Sequence, residues 1–166
     1  MAADETAAPN GSGAASGSEP TVQLLGQYVK DLSFENPNAP QSFLQQNPDA
    51  KLEAKIGVAI REIGANVHEV SLTVENKLVT ATATLFQLEL DYAGAFRIEN
   101  LPADVLHQVL RVQCPSLLFP FARRLIADLT RDGGFPQLYL DPVDFGQLYM
   151  QEMARQQASS GGRQIV

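Results

Sequence analysis

Between Thr21 and Glu35, hydrophobic and polar residues alternate with a period of two. One parity carries Val22, Leu24, Tyr28, Leu32 and Phe34, and the other carries Gln23, Gln27, Asp31, Ser33 and Glu35. This alternation predicts a strand with one face on a core and the other in water. Prolines 37 and 40 then end the strand, because proline cannot donate to a β ladder. Tyr28 is therefore expected to anchor the sheet, with Asp31 and Glu35 facing solvent.

Three further segments alternate in the same way, at residues 52–60, 70–74 and 86–92. Gly64-Ala65-Asn66 separates the first two of them. The turn before the last segment has two candidate positions, and residues 75–77 (Glu-Asn-Lys) have better local turn chemistry than residues 80–84. Four sequential strands with short connections predict an antiparallel meander.

After residue 100 the hydrophobic period becomes that of helices. A first helix is expected to end at Cys114-Pro115, a second to run from about Phe119 to Gly133-Gly134, and a short third to begin after Asp144. The apolar stripe of the second helix is wider than one sheet contact needs, which indicates a further packing partner. Its members include Leu118, Phe121, Leu125, Ile126 and Leu129. The predicted fold is α+β, with the helices on one face of the sheet.

The chain has 166 residues, of which 45% are hydrophobic, and a net charge of −7. We expect one domain at residues 21–157, a disordered tail at residues 1–20 and a flexible tail at residues 158–166. The first twenty residues lack the basic and apolar regions of a secretory signal, and no apolar run reaches membrane-spanning length. A cytoplasmic location is therefore expected. The acidic charge argues against binding nucleic acid or an anionic membrane.

Candidate chemistry is sparse, and we predict no catalytic residue, metal or cofactor. Cys114 is the only cysteine, and His68 and His107 lack metal-ligand spacing. Neither a G-x-S-x-G motif nor a glycine-rich phosphate loop occurs. A thioesterase of the hot-dog type would need a helix carboxylate, but Asp104 and Asp128 fall on polar helix faces.

Two surface features are more informative. Asp31 and Glu35 share one strand face about 13 Å apart, and Glu89 and Asp91 point to the wet face of another strand. Isolated acids on a wet face are usually only solvated, whereas acids from two strands on one face favour a docking patch. Six aromatic residues also fall within about thirty positions, at 119, 121, 135, 139, 145 and 149. Those at 135 and 139 lie in a loop flanked by proline and glycine, where full burial is harder to arrange.

Several segments together resemble the SecB family of bacterial protein-export chaperones. They are YVKDLSFENPNAP, VHEVSLTV, YAGAFRIENLP and CPSLLFPFARRLIADLTRDGGFPQLYLDPVDFGQLYMQ. The resemblance implies a nucleotide-independent holdase that binds unfolded precursor proteins and delivers them to the SecA motor. It also implies a homotetramer built as a dimer of dimers, with the long helix packed between dimers. The turn between the third and fourth strands would fall near residues 80–84.

The resemblance also assigns residues to surfaces. SecA's basic C-terminal tail would dock on Asp31, Glu35 and Glu89, with Gln87 as a neighbouring contact. The client groove is expected near Phe43, Phe119, Phe135, Tyr139 and Tyr149. The wide stripe of Leu118, Phe121, Leu125, Ile126 and Leu129 would form the oligomer interface. The alternatives are a SecB-like chaperone for another client, such as a toxin–antitoxin pair, and the thioesterase.

Overall fold

The computed structural model describes residues 18–160, which form an α+β domain of one four-stranded antiparallel sheet and several helices. This confirms the predicted fold class. The strands are β1 (Thr21–Glu35), β2 (Lys51–Gly64), β3 (Val67–Val79) and β4 (Thr84–Glu99). The helices are α1 (Gln41–Leu44), α2 (Ala103–Gln108), α3 (Cys114–Asp132) and α4 (Phe145–Ser160).

The order of the strands is β1-β4-β3-β2, so β1 departs from the predicted simple meander. Strands β2, β3 and β4 follow one another as hairpins, but β1 pairs with β4 at the far edge. Residues 36–50 are long enough to connect the two edges. Two amides secure this connection: Asn38 Nδ2 donates to the Thr84 carbonyl at 2.8 Å, and Asn36 Nδ2 donates to the Gly133 carbonyl at 3.3 Å.

The sheet has a helix face, which packs on α3, and an outer face, which does not. In β4, Leu88, Leu90 and Phe96 lie on the helix face, and all are buried. Residues of α3 cover this face, among them Leu118, Ala122 and Ile126, each 0% exposed. A β carbon added at Gly94 would lie 2.9 Å from Leu118, so the glycine allows the helix to approach β4 closely.

Two register shifts in β1 change which of its side chains face the helices. They occur between Leu24 and Gly26 and between Val29 and Asp31. Each shift adds one residue, so the alternation inverts after the first and is restored after the second. Tyr28 consequently lies on the outer face and Val29 on the helix face. The prediction that Tyr28 anchors the sheet to the helices was wrong.

The two predicted long helices form one continuous helical run from residue 103 to residue 132. A π-helical turn, Val109–Gln113, joins α2 to α3, and the Cys114 N–H bonds the Val109 carbonyl five residues back. Ser116 Oγ donates to the Val112 carbonyl at 2.6 Å. The prediction that Cys114-Pro115 ends a helix was wrong, because the π-helical turn directly before Pro115 lets the helical run continue through it.

The β3–β4 turn lies at residues 80–83. The Thr80 N–H donates to the Ala83 carbonyl at 2.8 Å, and the Thr80 hydroxyl accepts from the Ala83 N–H at 3.1 Å. Asn76 lies within β3 and is 0% exposed. The local preference for residues 75–77 was therefore wrong, and the position implied by the family resemblance is confirmed.

The ends of the domain are only partly described. β1 begins at Thr21, and α4 continues to Ser160, beyond the predicted domain end at residue 157. Residues 1–17 and 161–166, most of the two predicted tails, lie outside the described residues. Within residues 18–160, none of the helices is both long and apolar enough to cross a membrane.

Candidate functional site

Five carboxylates gather on the outer face of the sheet, and we call them the acidic patch. They are Asp31 on β1, Glu35 on β1, Glu75 on β3, Glu89 on β4 and Asp91 on β4. The register sets Asp31 directly opposite Asp91 and Glu75 directly opposite Glu89. Like charges in opposite positions repel, so the patch carries an electrostatic cost that a cationic partner would relieve.

Gln87 lies beside the acidic patch, opposite Glu35, and its Nε2 donates to Glu89 Oε1 at 2.6 Å. The structure therefore places the four residues expected to bind SecA (Asp31, Glu35, Gln87 and Glu89) on one face of adjacent strands. From the sequence, Asp91 was expected on a wet face beside Glu89, but neither Asp91 nor Glu75 was among the residues assigned to SecA. Only the register between strands shows that they complete the patch.

A second polar cluster on the outer face centres on Glu69 of β3, which is only 5% exposed. Its carboxylate accepts hydrogen bonds from the Tyr28 hydroxyl and from Lys30 Nζ, at 2.7 Å, both on β1. Arg61 of β2 donates to it at 3.2 Å. The bonds from Lys30 and Tyr28 stabilise the charged form and lower the pKa of Glu69 to about 2. The hydrogen bond between Tyr28 and Glu69 also raises the pKa of the Tyr28 hydroxyl.

On the helix side, four phenylalanine rings form an aromatic cluster: Phe34, Phe43, Phe86 and Phe135. Their centroids are 5.7 Å apart for Phe34 and Phe86, 5.0 Å for Phe86 and Phe135, and 5.9 Å for Phe43 and Phe135. Phe43 is 51% exposed, and its neighbour Leu44 is 82% exposed. The cluster thus extends from the core to the surface.

Gly133 and Gly134 make room for two of these rings. The Phe34 ring occupies the space that a β carbon at Gly133 would need. A β carbon at Gly134 would lie 2.7 Å from the Phe43 ring, and the φ of Gly134 is +87°. The glycine pair therefore does more than end α3.

An apolar groove opens beside the aromatic cluster. Its lining includes Leu52, Leu78, Phe86, Phe135, Pro136 and Leu138. The segment carrying Phe135 and Leu138 is fixed to α3 by Thr130, whose buried hydroxyl accepts from the Leu138 N–H at 2.9 Å. Leu52 and Leu78 were missed as groove residues, because their strands come together here only through the register of the sheet.

Of the five residues predicted to line a client groove, the structure brings only Phe43 and Phe135 together. Phe119 is 8% exposed and packs edge-on against Phe145, so in the single chain it does not line an open groove. Tyr139 is 57% exposed, with the Arg123 guanidinium 5.7 Å from its ring centroid. Tyr149 instead contacts His107, its hydroxyl 2.9 Å from Nδ1.

The five residues predicted to form the oligomer interface also differ in their exposure. Leu118 and Ile126 are fully buried inside the single chain and pack in its core, so they offer no surface to a partner. Phe121 is 43% exposed, and the neighbouring Leu117 is 53% exposed. Leu125 and Leu129 are partly buried. An apolar surface on α3 is thus left open around Phe121.

Edge strand β1 also carries exposed apolar side chains. They include Val22, Leu24, Val29 and Leu32, between 38% and 43% exposed. Val29 lies opposite Tyr92, whose ring stacks on that of Phe121 at 6.5 Å between centroids. The apolar surface of β1 is therefore continuous with that of α3.

The residues that could carry other chemistry have ordinary structural roles. Cys114 is fully buried, and burial raises the pKa of its thiol to about 12. Asp128 pairs with Arg131 at 3.3 Å on the helix surface. In the part of the chain that the structure describes, no group of His, Cys, Asp or Glu side chains is arranged to hold a metal ion.

The sequence is similar to those of known proteins. A family model described as Preprotein translocase subunit SecB matches residues 15–156. The protein-export protein SecB of Afipia carboxidovorans is 53% identical over 137 residues, 82% of this chain and 85% of that protein. The SecB of Bradyrhizobium diazoefficiens is 51% identical over 154 residues, 92% of this chain and 96% of that protein.

One solved structure has the same fold. It is a SecB-like chaperone of Mycobacterium tuberculosis, in complex with a peptide of the HigA1 antitoxin. The TM-score is 0.60 at 14% identity, over 74% of this chain and 90% of that one.

Proposed function

The chain belongs to the SecB family of preprotein translocase subunits, and from this premise we propose that it holds unfolded precursor proteins and delivers them to SecA. It does so in the cytoplasm, as a homotetramer, without nucleotide or catalysis. The observation that carries the proposal is the separation of two surfaces. The acidic patch lies on the outer face of the sheet, whereas the apolar groove lies on the helix side.

The acidic patch suits a basic partner. Its carboxylates come from three adjacent strands on an open face, so that an extended basic segment can contact several of them at once. Opposite charge accelerates the encounter and fixes orientation, and the effect weakens with salt. We assign this surface to SecA's basic C-terminal tail, with Asp31, Glu35 and Glu89 as contacts and Gln87 holding Glu89.

The apolar groove suits an unfolded client. Exposed aromatic and aliphatic side chains contact many sequences without requiring a particular one. Phe43, Phe135 and Leu52 are the residues we assign to client contact. Their exposure would also promote self-association, which the net charge of −7 opposes.

Assembly would cover the remaining apolar surface. The β1 edge and the side of α3 around Phe121 are open in the single chain, and exposed edges and apolar patches of this kind mark interfaces. A dimer of dimers joined through these surfaces would present several client grooves. Multivalent contact would then retain a long client that binds each groove weakly.

Charge reversal tests the separation of the two surfaces. Glu89→Lys should weaken SecA binding by about tenfold or more at low salt, because it places a cation among four carboxylates. Client binding should not change: the variant and the unchanged protein should slow the refolding of an export precursor to the same extent, without ATP. Calorimetric titration with SecA and a refolding assay provide the two measurements.

Glu62→Lys is the matched control, since Glu62 is exposed outside the acidic patch and its reversal changes the net charge equally. It should leave both measurements unchanged. If Glu89→Lys abolished client binding together with SecA binding, the two surfaces would not be separate. Client retention without SecA binding by the unchanged protein would favour a SecB-like chaperone for other clients.

A further inference from the structure

Lys55 pairs with Glu75 of the acidic patch at 3.5 Å, but two other cations beside the patch, Lys30 and Arg61, form no ion pair with it. Lys30 immediately precedes Asp31 in β1, at the second register shift. Asp91 shares a depression on the outer face with Lys30 and Arg61. Both cations bind Glu69 instead, at 2.7 Å from Lys30 and 3.2 Å from Arg61.

The sheet is built so that Lys30 can reach Glu69. Lys30 lies on β1 and Glu69 on β3, with β4 between them. On the outer face β4 contributes only methyl groups at this level, from Ala93 and Ala95, which lie opposite Tyr28 and Gly26. Larger residues there would obstruct the side chains that cross from β1. The Tyr28 hydroxyl crosses the same strand to the same carboxylate.

Glu69 also differs from the acids of the patch in its exposure. Its side chain is 7% exposed, because its cationic and phenolic partners cover it. Glu89, Asp31 and Glu35 are exposed. Glu69 is thus committed to internal pairing, and these three carboxylates are left open to a partner.

We propose that Glu69 is a positioning residue that holds Lys30 and Arg61 away from the acidic patch and so keeps the patch open to a basic peptide. This inference rests on the proposed SecA docking, and it names a residue that controls the affinity of the acidic patch for SecA. Glu69 does not touch the peptide. It acts by fixing the position of the Lys30 side chain and by cancelling positive charge beside the acidic patch.

Glu69→Gln tests this with little change of shape. The amide still accepts a hydrogen bond, but the positive charge of Lys30 is no longer cancelled beside Asp31 and Asp91. One added positive charge beside the acidic patch, in a partly aqueous setting, should weaken SecA binding about threefold to tenfold at low salt. The loss should shrink as salt is raised, because exposed charges are screened.

Adding Lys30→Met to the Glu69→Gln variant shows whether a loss of SecA binding comes from the added charge or from a distorted sheet. The double variant Glu69→Gln with Lys30→Met has the net charge of the unchanged protein, so SecA binding should return to within about twofold of it. A sheet distorted by Glu69→Gln would not be repaired by removing a second partner. Lys30→Met alone should not weaken binding.

The measurement is calorimetric titration of the four proteins with purified SecA, at low and at high salt, with Glu89→Lys as reference. If Glu69→Gln bound SecA as tightly as the unchanged protein while Glu89→Lys bound weakly, the role of Glu69 would be refuted and the docking surface would stand. A double variant as weak as Glu69→Gln would also refute it. Failure of the unchanged protein to bind SecA would overturn the proposed function and this inference together.

Discussion

At the scale of single residues, small side chains decide where the large ones lie. Gly133 and Gly134 leave space for the rings of Phe34 and Phe43, and Gly94 lets Leu118 approach β4. Ala93 gives Tyr28 a path across β4 to Glu69. In the sequence, Gly133-Gly134 stands out only as the end of a helix, and Gly94 and Ala93 have no evident role. Their roles follow from neighbours that are distant along the chain.

Replacing Gly134 by alanine should destabilise the protein by about 1–2 kcal/mol, because alanine is strained at positive φ and its β carbon would press on the Phe43 ring. The displaced ring should also weaken client binding. Urea denaturation measures the first effect, and the refolding assay measures the second.

Gly26→Ala is the control, since nothing lies within 4 Å of a β carbon added there. It should leave stability and client binding nearly unchanged. Equal stability of the two variants would contradict the role given to Gly134.

At the scale of elements, irregularities place the functional side chains. The second register shift of β1 returns Asp31 and Glu35 to the outer face, after the first has moved Tyr28 there. The π-helical turn lets the helical run pass Pro115, so that α3 can lie along the sheet. At its far end, Thr130 of α3 holds the segment that carries Phe135 and Leu138.

Thr130→Val should cost about 1–2 kcal/mol of stability, because the Leu138 N–H loses its acceptor when a methyl group replaces the hydroxyl. The freed segment should also form a poorer groove, and client affinity should fall. Denaturation and the refolding assay provide the measurements.

Thr130→Ser keeps the hydroxyl and is the matched control for this change. It should preserve most of the client affinity, even if the lost methyl group lowers stability. A valine variant that bound clients as well as the serine variant would show that the hydrogen bond does not position the groove.

At the scale of the whole molecule, charge and apolar surface are distributed to different sides. The acidic patch occupies the outer face, and the apolar groove opens on the helix side. A third surface, formed by β1 and the side of α3 around Phe121, is apolar and uncovered in the single chain. This arrangement supports the proposal that SecA, a client and further copies of the chain bind to separate surfaces.

Native mass spectrometry should show a tetramer for the unchanged protein, and Phe121→Glu should shift it toward smaller species. A carboxylate at this position would be desolvated without a partner if α3 packs between dimers. The experiment uses the full chain at micromolar concentration.

Met150→Glu is the comparison, because Met150 is 68% exposed on α4, outside the predicted interface. It should remain tetrameric. A protein that is monomeric without any substitution would contradict the proposed assembly, and a tetrameric Phe121→Glu variant would exclude α3 as its interface.

The residues easiest to assign from the sequence were those whose position follows from the pattern of a single strand or helix. Asp31 and Glu35 were placed correctly because an even number of register shifts precedes them, which leaves their parity intact. Tyr28, between the two shifts, was misplaced by the same rule. Glu75, Leu52 and Leu78 were not assigned to sites, because each joins its site through pairing with another strand.

The sequence by itself determined the α+β class, the number of strands and the family, since alternation, helical periodicity and short motifs are local properties. The tertiary structure decided the strand order, the faces of β1, the continuity of α2 with α3 and the composition of both surfaces. These depend on register and packing between segments far apart in the chain. The pairing of Glu69 with Lys30 and Arg61 belongs to this second group, because three strands must align before one carboxylate can hold both cations.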